Sequence, residues 1–148
     1  MTTLISIATI HRPATEVVAT YFDWTRDLLW RPAVRRMTVH PSGPAEEGQR
    51  IVEELRTCGL TFVTPTRVDS VHPCRVMFSG GSDQLTIRGW REVEPAGPDR
   101  CRVKQVVDVE LRGPLRILTP ALRVAYRRTM RADLSGLARL LEDSVVAR

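Results

Sequence analysis

Glu53 and Gln105 are the two polar side chains best placed for chemistry, because each falls on a strand face that is otherwise apolar. A polar group on such a face costs free energy unless it is paired. Either the two satisfy each other or a neighbouring backbone group, or they point at a ligand or a cavity water. In a catalyst Glu53 is the candidate general acid or base, whereas in a carrier it only orients the ligand.

A hairpin around Cys58-Gly59 assigns the side of each residue in this region. A two-residue loop sets Thr57 opposite Leu60, so that Leu55 faces Phe62 and Glu53 faces Thr64. Glu53 then lies as a lone acid among apolar walls, and desolvation is expected to raise its pKa unless an arginine or another donor compensates. The opposite side suits solvent and carries Val52, Glu54, Arg56, Val63 and Arg67.

Nothing in the sequence predicts a metal or a cofactor. No nucleophile elbow, glycine-rich phosphate loop, zinc-protease motif or dinucleotide fingerprint is present. The three cysteines are odd in number and contain no C-x-x-C pair, which indicates neither a disulfide framework nor a zinc site and favours a reducing cytoplasm. No apolar run approaches the ~18 residues that a membrane span requires.

Two tryptophans leave alternatives open. Trp30 is either at the mouth of a pocket or in the core. Trp90 has the parity of Arg88 and Glu92, so it is expected on the outer face of the sheet, where it would lie under another element or a partner, for instance in a homodimer.

The 148 residues correspond to one domain with an ordinary globular composition. The net charge of +5 comes from 21 arginines and one lysine, and basic residues alternate with acidic ones. Such alternation favours a solvated surface over a nucleic-acid footprint, which needs the charges on one face. The cluster that departs from it consists of Arg123, Arg127, Arg128 and Arg131.

Hydrophobic periodicity predicts the order of the elements. A strand over Leu4–Ile10 has apolar residues on both faces and is expected to be covered on both sides. A helix over about 13–22, a second short helical turn over 23–30 and six further strands follow. The last strand turns Val103, Gln105, Val107, Val109 and Leu111 inward.

After Gly113-Pro114 the period becomes helical. We expect a short leading turn, then Thr119-Pro120 as N-cap and first-turn residue of a helix of about 25 residues. Its apolar stripe consists of Leu115, Leu118, Leu122, Tyr126, Met130, Leu134, Leu137 and Leu141.

Several short motifs resemble the polyketide cyclase/dehydrase and lipid-transport superfamily, whose members share the START-like helix-grip fold. The resemblance covers nearly the whole chain and implies an α+β domain, in which a curved antiparallel seven-stranded sheet wraps a long C-terminal helix, with two short helices after the first strand. It also implies an enclosed pocket. The motifs are Ile10–Val18, Trp30-Arg31-Pro32-Ala33-Val34, Arg102-Val103-Lys104-Gln105, Leu111-Arg112-Gly113-Pro114-Leu115, Arg127-Arg128, Asp133-Leu134, Leu137 and Leu140-Leu141-Glu142.

The expected function is binding of an apolar or polyaromatic small molecule, with or without cyclase-type chemistry. The alternative is a macromolecule-binding module, similar to ribosome-associated members of the superfamily, that uses the arginines of the last helix. The expected ligand-binding residues are Trp30, Ile51, Glu53, Leu55, Phe62, Thr64, Phe78, Gln105, Val107, Leu122, Tyr126 and Met130. Asp133 also lies near the middle of the apolar stripe of the last helix, but the helix face can turn it to the edge, so it is a weaker candidate than Glu53 and Gln105.

Overall fold

A computed structural model describes residues 1–57 and 59–146. Two helices occur, α1 (Ala14–Tyr21) and α2 (Thr119–Val146), together with 3-10 helices at Trp24–Leu29 and Gly113–Leu118. The strands are β1 (Thr2–Ile10), β2 (Val34–His40), β3 (Arg50–Thr57), β4 (Leu60–His72), β5 (Arg75–Gly81), β6 (Leu85–Pro95) and β7 (Cys101–Leu111).

All seven strands form one antiparallel sheet in the order β1-β7-β6-β5-β4-β3-β2. The sheet is open and curved, and α2 lies along its concave side, as the predicted helix-grip fold requires. Two glycines permit close approach of neighbouring strands. A Cβ on Gly89 would lie 2.0 Å from the Val106 carbonyl oxygen, and one on Gly80 would lie 2.1 Å from that of Pro65.

The register of β3 against β4 confirms the predicted hairpin. Thr57 pairs with Leu60, Leu55 with Phe62 and Glu53 with Thr64. Cys58 itself lies outside the described residues. The predicted split between faces also holds, because Ile51, Leu55 and Phe62 are buried whereas Val52 and Val63 are exposed.

The expectation that β1 is covered on both sides is wrong. Leu4 and Ile10 are buried, but Ile5 and Ile7 on the other face are 53% and 51% exposed. The reason is tertiary: among the described residues α2 covers the concave face of β1, and no element covers the opposite face.

The start of α2 also differs from the prediction. Thr119 has helical backbone angles (φ −50°, ψ −47°) and its hydroxyl donates to the Arg116 carbonyl oxygen, so it does not cap the helix. The leading 3-10 turn runs directly into α2, which makes this helix 28 residues long. Leu118 is exposed, and the fully buried stripe begins at Leu122. No helix in the described part of the chain is long and apolar enough to cross a membrane.

Candidate functional site

The space between α2 and the concave face contains three small cavities of about 20, 30 and 20 Å³. The outer one lies near the start of α2, against Thr119 and Arg123. The middle one is walled by Leu55, Phe62 and Leu85, among others. The inner one is more polar and is lined by Trp24, Arg31, Ile51, Glu53, Thr66, Phe78, Ile87, Arg91, Gln105 and Tyr126.

Tyr126 lines all three cavities, and Leu122 lines the outer two. Each cavity has room for only a water molecule or two, whereas pockets that bind drug-sized ligands have volumes of about 300–1,000 Å³. Among the described residues, the expected enclosed pocket is therefore not a single space of ligand size, and side chains of α2 separate the three cavities. Burial, with a further contribution from Glu53, raises the pKa of the Tyr126 phenol, so the Tyr126 side chain between the cavities is neutral.

Beneath the inner cavity lies a buried ion pair between Asp27, from the first 3-10 helix, and Arg91, from β6. Arg91 Nη1 and Nη2 donate to the two carboxylate oxygens of Asp27 at 3.0 and 2.6 Å, and Nη1 also donates to the Tyr21 carbonyl oxygen at 2.8 Å. The guanidinium carbon lies 4.0 Å from the ring centroid of Trp24 and 5.2 Å from those of Tyr21 and Trp30. A planar, two-pronged cation suits both the carboxylate and the aromatic faces.

Arg31 extends this pair into a cluster. Its Nη1 is 3.0 Å from Asp27 Oδ2 and is also ion-paired with Glu53, while its Nε donates to Asp133 Oδ2 at 3.1 Å. Burial by itself lowers the pKa of Arg31, but the carboxylates of Glu53, Asp133 and Asp27 outweigh it and hold that pKa well above its ordinary value. Arg31 therefore stays charged.

Asp133 is not turned to the edge of the helix stripe; it is 1% exposed and faces Arg31. Burial raises its pKa despite the opposing attraction of Arg31. The physical reason is visible in the cluster, which brings three carboxylates to two guanidinium groups. When all five groups are ionised, one negative charge is in excess, and the repulsion from Glu53 acts in the same direction as burial on the pKa of Asp133.

Glu53 occupies the predicted concave face, with a side chain that is 14% exposed. The description of Glu53 as a lone acid among apolar walls is wrong, because the adjacent cluster contributes Asp27 and Asp133 and pairs Glu53 with Arg31. The side of β3 on which Glu53 lies follows from the hairpin, whereas its pairing with Arg31 depends on where the segment after the first 3-10 helix packs.

Three buried polar atoms at the inner cavity have no hydrogen-bond partner in the described structure. These are Gln105 Oε1, an acceptor, Arg91 Nε, a donor, and Glu53 Oε1, which is ion-paired with Arg31. The first of the two alternatives, in which Glu53 and Gln105 satisfy each other, is not what the structure shows. The inner cavity thus has a mixed lining of apolar, polar and charged side chains, with unused hydrogen-bonding capacity at Gln105 and Arg91.

The other predicted site residues divide into two groups. Trp30, Val107 and Met130 are packed in the core, and Trp30 contacts an open groove of about 610 Å³ on the outside of the site. Trp90 lies on the outer face as predicted, with Arg75 5.0 Å above its ring. The predicted residues that line the middle or inner cavity are Ile51, Glu53, Leu55, Phe62, Thr64, Phe78, Gln105, Leu122 and Tyr126.

Sequence reasoning missed Asp27, Arg31 and Arg91. One signal was available: Arg91 has the parity of Ile87 and Val93, so it is a charged residue on an apolar face. Asp27 and Arg31 carry a weaker signal, because their spacing of four residues is also typical of exposed helical ion pairs.

The four arginines of the predicted cluster, Arg123, Arg127, Arg128 and Arg131, are all exposed. As for metals, no three His, Cys, Asp or Glu side chains within residues 1–57 and 59–146 are arranged to hold an ion.

Comparison with solved structures shows the fold. A protein from Thermus thermophilus, TTHA0849, superposes with a TM-score of 0.82 at 18% identity, with 97% of this chain and 99% of that one covered. The Zhui aromatase/cyclase from Streptomyces sp. R1128 has a TM-score of 0.81 at 13% identity, with coverage of 97% and 95%. A START superfamily protein from Mycobacterium smegmatis has a TM-score of 0.77 at 15% identity, with coverage of 95% and 97%.

A search of curated proteins found no match. A scan against protein families matches residues 2–142 to the family described as polyketide cyclase / dehydrase and lipid transport. The match spans all seven strands and most of α2, and it agrees with the solved structures. The chain therefore belongs to the polyketide cyclase/dehydrase and lipid transport family.

Proposed function

We propose that this protein binds an apolar or polyaromatic small molecule that carries a hydroxyl or carbonyl group, in the space between α2 and the concave face of the sheet. The observation that carries the proposal is the inner cavity, where Gln105 Oε1 and Arg91 Nε are buried without hydrogen-bond partners beside apolar side chains such as Phe78. A buried polar group without a partner costs about 1–3 kcal/mol, which a ligand hydroxyl or carbonyl can recover.

Binding requires the divided space to open. Tyr126 and Leu122 separate the cavities, and both belong to the first half of α2. Movement of these two side chains joins the three spaces without disturbing the ion-paired cluster below. The ligand then occupies the space from which these two side chains have moved.

Cyclase-type chemistry is the second part of the proposal. The Glu53 carboxylate lines the middle and inner cavities, where it can accept a proton from a substrate carbon next to a carbonyl. The resulting enolate attacks a second carbonyl of the same substrate molecule. The alkoxide formed there then takes the proton from the Glu53 carboxyl group. One structural neighbour is described as an aromatase/cyclase, and the family description includes both cyclases and lipid transport, so carrier and catalyst are both consistent with the comparisons.

The test is native mass spectrometry and dye displacement with a panel of lipids, aromatic compounds and polyketide-like compounds. Glu53→Gln keeps the shape and removes the charge, so it is expected to change affinity or turnover. Glu54→Gln is the matched control, because Glu54 is the next residue along β3 and faces the other side. Failure of every compound to bind the unmodified protein would remove the proposal, and equal effects of the two variants would remove Glu53 from it.

We infer that the protein works in the cytoplasm. Cys74 and Cys101 are free thiols, one exposed and one buried, which is consistent with a reducing compartment. Fractionation of the source cells, with detection in a periplasmic or secreted fraction as the contrary result, tests this.

A further inference from the structure

We propose that the start of α2 and the 3-10 turn before it form a surface that docks on a bilayer containing anionic lipid. We call this surface the basic face. It covers residues 112–131, in which no acidic residue occurs. It contains six arginines: Arg112, Arg116, Arg123, Arg127, Arg128 and Arg131.

These arginines are available to a partner. All six are exposed, and none forms an ion pair within the described part of the chain. Some exposed arginines elsewhere, such as Arg67 and Arg88, pair with Asp69 and Asp108, whereas the strand arginines Arg50 and Arg102 form no ion pair among the described residues. The positive charge of the basic face is therefore not neutralised locally.

Apolar side chains lie among these charges. Ile117, at the end of the 3-10 turn, is 84% exposed, more than any other large hydrophobic residue in the described structure. Leu118 beside it is 39% exposed, and Val124 on α2 is 53% exposed. Val124 shares the outer side of the helix with Arg128 and Arg131, opposite the buried Leu122, Tyr126 and Met130.

The combination of exposed apolar side chains and unpaired arginines favours a membrane surface as the partner. Exposed aliphatic side chains bordered by unpaired basic residues are the pattern of helices that lie in a membrane interface, where the apolar groups enter the acyl boundary and the cations meet lipid phosphates. Single-stranded nucleic acid is favoured less, because it requires exposed aromatic rings for base stacking and the one aromatic residue of this segment, Tyr126, is buried.

The basic face lies next to the outer cavity. Thr119, Leu122 and Arg123 line the outer cavity. A bilayer against the basic face therefore lies beside this cavity, through which an apolar molecule could pass into the protein. Docking itself does not depend on the proposed ligand binding and is measured separately.

The experiment is co-sedimentation of the full chain with phosphatidylcholine vesicles, with and without about a third phosphatidylglycerol, at low and high salt. We expect binding to the anionic vesicles at low salt and its loss at high salt. Ile117→Ser should weaken the partition coefficient about tenfold, and Arg127→Gln/Arg128→Gln about 25-fold, since each arginine contributes about fivefold.

Matched controls are Leu29→Ser, at a leucine that is 65% exposed on the first 3-10 helix, and Arg50→Gln/Arg102→Gln, at exposed strand arginines. These should bind vesicles like the unmodified protein. The proposal is overturned if anionic and zwitterionic vesicles bind equally, if Ile117→Ser has no effect, or if the protein sediments with ribosomes or RNA and not with vesicles. The last result would support the nucleic-acid alternative. Dye displacement without vesicles reports ligand binding independently.

Discussion

Arg91 and Asp27 form a two-pronged ion pair in the core, with nitrogen to oxygen distances of 3.0 and 2.6 Å and side chains that are 1% and 0% exposed. The two residues come from β6 and the first 3-10 helix, 64 positions apart. This pair joins the crossover between β1 and β2 to the centre of the sheet, and it holds Arg31 where Arg31 meets Glu53.

Removal of one member of this pair should destabilise the protein strongly. We expect Asp27→Asn or Arg91→Met to lower the free energy of unfolding by about 3–5 kcal/mol, because the other charge is left buried without its partner. Urea unfolding measures this. Arg88→Met removes the exposed partner of Asp108 and should cost less than about 1 kcal/mol. Similar losses in the Arg88 and Arg91 variants would contradict the assignment.

The raised pKa of Asp133 predicts an unusual pH dependence. Because the folded pKa exceeds the ordinary value of 3.8, the folded state binds the proton more tightly than the unfolded state. The stability that this tighter proton binding at Asp133 contributes is complete below pH 3.8 and is lost as the pH rises through the folded pKa.

The measurement is the free energy of unfolding of the unmodified protein and of Asp133→Asn over this pH range. The difference, unmodified minus variant, should fall as the pH rises. A difference that rises with pH would show instead that attraction to Arg31 dominates over burial.

Gly136 should not tolerate alanine, although alanine is the better helix former. A Cβ at this position of α2 would lie 2.2 Å from the Trp30 carbonyl oxygen. We expect Gly136→Ala to lower the free energy of unfolding by about 1–3 kcal/mol, since the two segments must separate. Ser135→Ala, at the exposed neighbouring position, is the control and should be neutral or slightly stabilising.

Truncation of Tyr126 is predicted to lower stability and to enlarge the internal cavity. Tyr126→Ala joins the three cavities and should cost about 3–5 kcal/mol, while increasing the affinity for small aromatic dyes. Leu137→Ala truncates another buried residue of α2 that lines none of these three cavities. Equal gains in dye binding for both variants would indicate general loosening of the core rather than an opened site.

The order of the elements, the amphipathic last helix and the side assignment of Glu53 could all be predicted from the sequence, because they depend on local periodicity and on a two-residue turn. The pairing of Glu53 with Thr64 and of Leu55 with Phe62 follows from the hairpin alone. The coverage of β1 and the capping role of Thr119 could not be predicted, since both depend on where α2 lies and how it joins the preceding turn.

The chemistry of the site was decided by the tertiary structure. Asp27 and Arg31 are four residues apart, but Arg91 and Asp133 come from β6 and α2, and no spacing rule connects these to the first two. Their common burial gives Glu53 a cation, and with Glu53 it brings three carboxylates to two guanidinium groups. The same packing places Tyr126 across the interior, so the sequence determined which residues face the cavity, and the tertiary structure determined how that cavity is divided.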